Sequence, residues 1–189
     1  MIKKHQHFII NKPWGMISQF VNPAKRKKRL LGDLYDFPKG TMAIGRLDVA
    51  SEGLLLLTTD GKVSMKIRSN KVEKEYYVQV DGIITQEAVE RLKTGVEIGF
   101  DGKKYKTKRC QAFLIDNPKF PSRSQKIRDK RHGPTSWISI IIKEGKFRQV
   151  RKMTAAVGFP TLRLIRIRID KIKLENLDVG GILEIDHLI

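Results

Sequence analysis

The residue of this chain best suited to chemistry is an aspartate set between apolar neighbours. Asp48 follows Gly45, Arg46 and Leu47 and precedes Val49. Leu47 and Val49 are expected to withdraw its carboxylate partly from water, where it needs a cationic or hydrogen-bonding partner. Such a carboxylate can serve as a nucleophile or a general base. The same spacing also allows a plainer reading, a surface-turn aspartate paired with Arg46, an ion pair of little consequence for stability. The four histidines, His5, His7, His132 and His187, lie near the chain ends or in a basic segment without ligand spacing. Neither a GxxxxGKS/T phosphate loop nor a GxGxxG fingerprint occurs. No metal and no cofactor is therefore expected. The single cysteine, Cys110, excludes an internal disulfide and a multi-cysteine metal site; it falls in an alternating run, where a buried, inert thiol is expected.

The charge balance indicates the partner. Lysine and arginine total 38 against 20 acids, a formal charge of +18 in 189 residues. The excess is spread through the chain, including segments that read as folded. Self-repulsion of this size points to a polyanion. No run approaches the ~20 apolar residues of a membrane span. The N-terminal stretch from Met1 has too short an apolar run for a secretory signal, and no long amphipathic helix with a basic face is present. A cytoplasmic protein that binds structured RNA, with no membrane partner, is expected. No sticky apolar surface is legible, so a monomer is expected.

The elements that must position these groups form a mixed α+β pattern. Residues 7–13 read as a strand stopped by Pro13. A basic cluster, Lys25 to Arg29, precedes a short helical pattern around Leu30, Leu31 and Leu34. The apolar run Leu54–Leu57, bounded by Gly53 and Asp60-Gly61, predicts a buried strand and then a turn. A short helix is expected over about 62–68, a strand over 74–81, and a helix capped by Thr85 and running to about Lys93. In the strand 74–81, Tyr76 and Tyr77 should face opposite ways, and either could be an ordinary core aromatic. Residues 104–115 alternate as one strand would. The segment 116–135 has no apolar period and is rich in proline and cations, as a phosphate-contacting arm or a solvated linker would be. Residues 136–143 give the strongest strand signal. Phe147, Val150, Met153 or Thr154, and Val157 recur at helical spacing, with Arg148, Arg151 and Lys152 on another side. Residues 161–169 alternate Arg with Leu and Ile, predicting one apolar and one cationic face. Short strands at 171–174 and 180–186 close the chain. Its length suits one domain, 1–189, with fused sublobes of about 1–66 and 67–189.

Four segments taken together resemble a known family. NKPWG at 11–15, GRLDVASEGLLLLTTDG at 45–61, KEYYV at 74–78 and EGKFRQVRKM at 144–153 are similar to the ordered motifs of the RsuA/RluE branch of pseudouridine synthases. The similarity runs from about residue 6 to 189, and is most extended with the type that modifies a uridine in 23S ribosomal RNA. The resemblance implies the fold of that family's catalytic domain: a mixed, mostly antiparallel sheet with flanking helices, without the N-terminal S4-like module of many relatives. It also implies roles. Asp48 matches the essential aspartate and Tyr76 the tyrosine that stacks on the target base. Arg46 matches the arginine that fills the gap left by the flipped nucleotide or orients the site, and Lys146 the cation that pairs with the carboxylate. Ile140 or Ile142 would floor the base pocket. Arg148 stands where many relatives have His.

The reaction so implied moves uracil from an N1–C1′ bond to a C5–C1′ bond and needs no cofactor. The base must leave its stack, which aromatic stacking partly repays. Phosphate contacts are expected from Lys25, Arg26, Lys27, Lys28 and Arg29, from Arg123, Lys126 and Arg128 in the 116–135 segment, from Arg148, Arg151 and Lys152, and from Arg163 and Arg166. The charge pattern by itself fits a non-catalytic RNA-binding or ribosome-assembly protein equally well. Asp48 with Tyr76 and Lys146 is what separates the two.

Overall fold

The computed structural model describes residues 5–22, 27–69, 71–127 and 130–188. They fall into two compact units: unit 1 takes in the described residues up to Val72 and from Arg166 onward, and unit 2 is Glu73–Ile165. The sequence reading placed its division at 66/67 and left the C-terminal residues in the second sublobe.

Unit 1 begins with β1 (His7–Lys12), followed by the two-residue β2 (Met42–Ala43), β3 (Glu52–Thr58) and α1 (Gly61–Ile67). β3 pairs antiparallel with β1, His7 opposite Thr58 and Lys12 opposite Gly53, and with β2. Leu54 to Leu57 are completely buried, so the unbroken apolar run reports a strand covered on both faces. Asp60 starts α1, its carboxylate accepting from the backbone N–H of Lys62 and Val63, a cap worth about 1 kcal/mol. Between β1 and β2 the helical pattern at 30–34 shrinks to one 3-10 turn, Leu31–Asp33, where Asp33 accepts from the Leu30 N–H at 2.8 Å.

Unit 2 holds β4 (Lys74–Asp81), α2 (Gln86–Thr94), β5 (Glu97–Phe100), β6 (Lys103–Lys106), β7 (Gln111–Ile115), β8 (Thr135–Ile142) and α3 (Gln149–Ala156). β8 lies between β4 and β7, antiparallel to both. Two strands stand where one was expected at 104–115: β6 pairs with β5 in a separate hairpin, and β7 joins the β8 edge. The break falls at Thr107, whose N–H donates to Val96 O and whose hydroxyl accepts from the Val96 N–H. Cys110 therefore precedes the strand; its thiol donates to Leu92 O at 3.2 Å, and burial pushes its pKa up to about 11. β9 (Thr161–Ile169) begins in unit 2 and ends in unit 1, where β10 (Ile172–Lys173) pairs with it and β11 (Ile182–Ile185) pairs with β1. These ladders are antiparallel, and the described residues also form three short α-helices, an α+β arrangement.

Gly95 ends α2 with φ +99, and a Cβ there would lie 2.3 Å from Thr107 O. That close approach brings the chain round to β5. Gly95→Ala is expected to lower the unfolding free energy by about 2–4 kcal/mol in urea titration, since it combines a positive φ with a backbone clash.

Candidate active site

Asp48 lies in the segment that follows β2, and its backbone is held on both sides. Ser18, buried, donates its hydroxyl to Leu47 O at 2.9 Å and accepts from the Leu47 N–H at 3.0 Å. On the other side, the Gly15 N–H donates to Val49 O at 2.8 Å. Asp48 O itself accepts from the Ser51 N–H. Leu47 is buried, Asp48 half-buried and Arg46 exposed.

The loop that grips Asp48 is closed by a residue the sequence reading passed over. Lys12, the last residue of β1, is 0% exposed. Its ammonium donates to Pro13 O at 2.8 Å and to Met16 O at 2.7 Å. Burial lowers its pKa from 10.5 to about 7, against the opposing charges of Glu52 and Asp48. Glu52 is itself buried at the start of β3. The available signal was the NKPWG segment, in which Lys12 reads only as a strand end. A buried lysine cannot be told from a surface one by sequence.

In unit 2, Tyr76 is buried on β4 directly opposite Ile140 of β8. Ile142 lies two residues along on the same face. Tyr77 faces the other way, 6.1 Å ring to ring from Phe120, which in turn lies 6.1 Å from Trp137. Burial, then the charge of Glu75, pushes the Tyr77 hydroxyl pKa up. Phe120 thus fastens the start of the 116–135 segment to the β4–β8 face opposite Tyr76.

Lys146 lies in the turn between β8 and α3, its ammonium 4.2 Å from the centroids of both Phe100 and Tyr105. Its backbone N–H donates to Gln149 Oε1 at 3.1 Å, and Gln149 Nε2 donates to Glu144 at 2.8 Å. Glu144 is buried and also accepts from the Tyr105 hydroxyl and the Lys108 N–H. Burial alone would raise its pKa; the three hydrogen bonds and the Lys108 charge outweigh it and leave the pKa below the ordinary value. The hydrogen bond to Glu144, then burial, pushes Tyr105 up to about 12.

Two expected phosphate contacts and one expected core residue are placed otherwise. Arg163 and Arg166 are three residues apart on β9 and so cannot share a face; both are buried. The Arg163 guanidinium lies 5.8 Å from the Phe120 ring, and Arg166 Nε donates to Leu54 O at 2.7 Å. Neither is the solvent-facing phosphate contact expected of it. Phe147, expected in the buried stripe of α3, is 66% exposed. Lys27, Lys28, Arg29, Lys126 and Arg148 are exposed, whereas Arg123, Arg151 and Lys152 are half-buried. Lys25, Arg26 and Arg128 lie outside the described residues. Among the described residues no group of three His, Cys, Asp or Glu is placed to hold a metal ion, and no helix is long and apolar enough to cross a membrane.

The profile of the RNA pseudouridylate synthase family matches residues 6–156. A relative from Vibrio parahaemolyticus, ribosomal large subunit pseudouridine synthase E, is 41% identical over 181 residues, covering 95% of this chain and 73% of its own length. One of the same name from Xanthomonas axonopodis is 40% identical over 172 residues, covering 89% of this chain and 88% of its own. A crystal structure of a pseudouridylate synthase superposes with a TM-score of 0.76 at 28% identity, over 97% of this chain and 71% of that one. The chain belongs to the RNA pseudouridylate synthase family, and is thereby an isomerase of uridine in RNA.

The buried lysine gives stability a pH signature. Its folded pKa, about 7, lies below the unfolded value of 10.5, so the cost of burying the charge is fully present below pH 7. It is relieved as pH rises through that window. In urea unfolding, wild type should therefore gain on Lys12→Met by up to about 1.4 kcal/mol per pH unit between pH 7 and 9. Parallel profiles would show that Lys12 is not held charged against burial.

Proposed function

We propose that this protein isomerises a specific uridine of large-subunit ribosomal RNA to pseudouridine in the cytoplasm, with Asp48 as the catalytic carboxylate. The ribosomal target follows from the relatives' names, which denote ribosomal large subunit enzymes. The observation that carries the assignment of Asp48 is its setting: a half-buried carboxylate with its flanking residues hydrogen-bonded in place. A non-catalytic RNA-binding protein has no need of a carboxylate so held in a chain of charge +18.

In the proposed reaction the N1–C1′ bond of the target uridine breaks and a C5–C1′ bond forms. C5 gives up a proton and N1 ends with one, so the atoms balance within the nucleoside. Asp48 acts ionised, either by attacking C1′ or by taking a proton from C2′. Tyr76 stacks on the extruded base, with the apolar face it shares with Ile140 and Ile142 as the surrounding wall. Arg46, exposed in its own unit, is suited to the space the extruded nucleotide leaves. Lys146 is the proposed counter-charge of the carboxylate; in its own unit its ammonium rests on Phe100 and Tyr105. Lys27, Lys28, Arg29, Arg123, Lys126, Arg148, Arg151 and Lys152 supply phosphate contacts, which set register and make binding salt-sensitive.

Asp48→Asn keeps the size of the side chain and removes the charge. It is expected to lower pseudouridine formation in a large-subunit rRNA transcript by at least about a thousandfold, while RNA affinity stays within about threefold. Full activity in that variant would end the assignment.

A further inference from the structure

Phe147 is a large apolar side chain that the proposed reaction does not use. It is 66% exposed, whereas Val150, Met153 and Val157, at helical spacing from it, are buried. The backbone gives the reason. Arg148, the residue before α3, adopts a left-handed φ of 52, which residues other than glycine seldom do. The turn takes Phe147 out of phase with the apolar stripe of the helix. Lys152 places its ammonium 5.5 Å from the centroid of the Phe147 ring. The same ammonium donates to Gly99 O at 2.7 Å, which ties the charge over the ring to the backbone of β5. Arg148, next in sequence, is exposed.

An exposed aromatic ring bordered by cations, in a chain of charge +18, is complementary to a ligand with a flat π-face and an attached negative charge. An unpaired nucleotide has both. A fully paired duplex offers phosphates without an open base face, and an apolar protein surface has no use for the cations. We infer that Phe147 and Lys152 form a stacking site for an unpaired RNA base, the ring taking the base and the ammonium its phosphate. The inference rests on the RNA-modifying reading above and deepens it, adding an unpaired nucleotide to what the enzyme requires of its substrate. Every base has a π-face, so such a site contributes affinity and register rather than base identity.

The test compares wild type with Phe147→Ala, Phe147→Leu and Phe147→Trp on two probes: a protein-free large-subunit rRNA transcript and a blunt RNA duplex with no unpaired nucleotide. Ala and Leu are expected to weaken transcript binding about tenfold and Trp to restore it. Duplex binding should be the same in all four, and the Trp variant should lose fluorescence on binding the transcript but not the duplex. Should Ala lower the melting temperature, Leu against Trp makes the same comparison. Wild-type transcript affinity in Ala, equal losses on both probes, or Leu as good as Phe overturns the stacking site. Pseudouridine formation by wild type on the same transcript separates the two levels. If it occurs while Phe147→Ala binds normally, the stacking site alone falls; if it does not occur, the enzyme reading falls and takes the site with it.

Discussion

One short loop, residues 13–18, holds Asp48 from both sides. It reaches the chain before the aspartate through the Ser18 hydroxyl on Leu47, and the chain after it through the Gly15 N–H on Val49. The loop keeps its own shape because the Lys12 ammonium spans Pro13 O and Met16 O, and because Gly15 takes a φ of +81. A carboxylate on a free loop would sample many positions; one whose two neighbours are held by three hydrogen bonds samples few. Misplacement of a reacting group by about 1 Å can cost a hundredfold in rate, so in the role proposed for Asp48 this clamp would be what makes an otherwise ordinary aspartate usable.

The clamp has a thermodynamic cost. Lys12 is completely buried and its pKa falls to about 7, so near neutrality the fold holds a charge that burial disfavours. Two carbonyl acceptors and the nearby charges of Glu52 and Asp48 offset part of this. Retaining a buried cation where an apolar residue would pack more cheaply is reasonable if the loop it closes carries function. Arg166, also buried and bonded to Leu54 O, adds a second cation to the interior of the same unit. In unit 2 a comparable polar network, built on Glu144, Tyr105 and Gln149, shapes the turn that carries Lys146. Each unit thus uses buried polar groups to fix a short irregular segment.

The regular elements could be read from the residues because their signals are local. Four consecutive leucines between Gly53 and Asp60 mark β3, Thr85 marks the start of α2 by capping it at Ala88, and alternation marks β4. The hairpin β5–β6 was hidden because Ile98 is the only buried residue in the four of β5. Arg163 and Arg166 read as surface cations because their burial depends on Phe120 and Leu54, distant in sequence. Phe147 fitted the helical period, and only the left-handed backbone at Arg148 removes it. The aspartate itself was conspicuous in GRLD, but Ser18 was not, since a hydrogen bond spanning 29 residues leaves no periodic trace, and Lys12 was not, since a buried lysine reads like a surface one.

In the role proposed for Asp48, the clamp serves to position the carboxylate for chemistry and not merely to stabilise the fold. Single-turnover rates for Ser18→Ala on a large-subunit rRNA transcript, at saturating enzyme and well below the melting temperature, test it most directly. The pseudouridine-forming step should slow about tenfold to a hundredfold, with RNA affinity unchanged. A wild-type rate in that variant, or a loss confined to RNA affinity, would contradict that role.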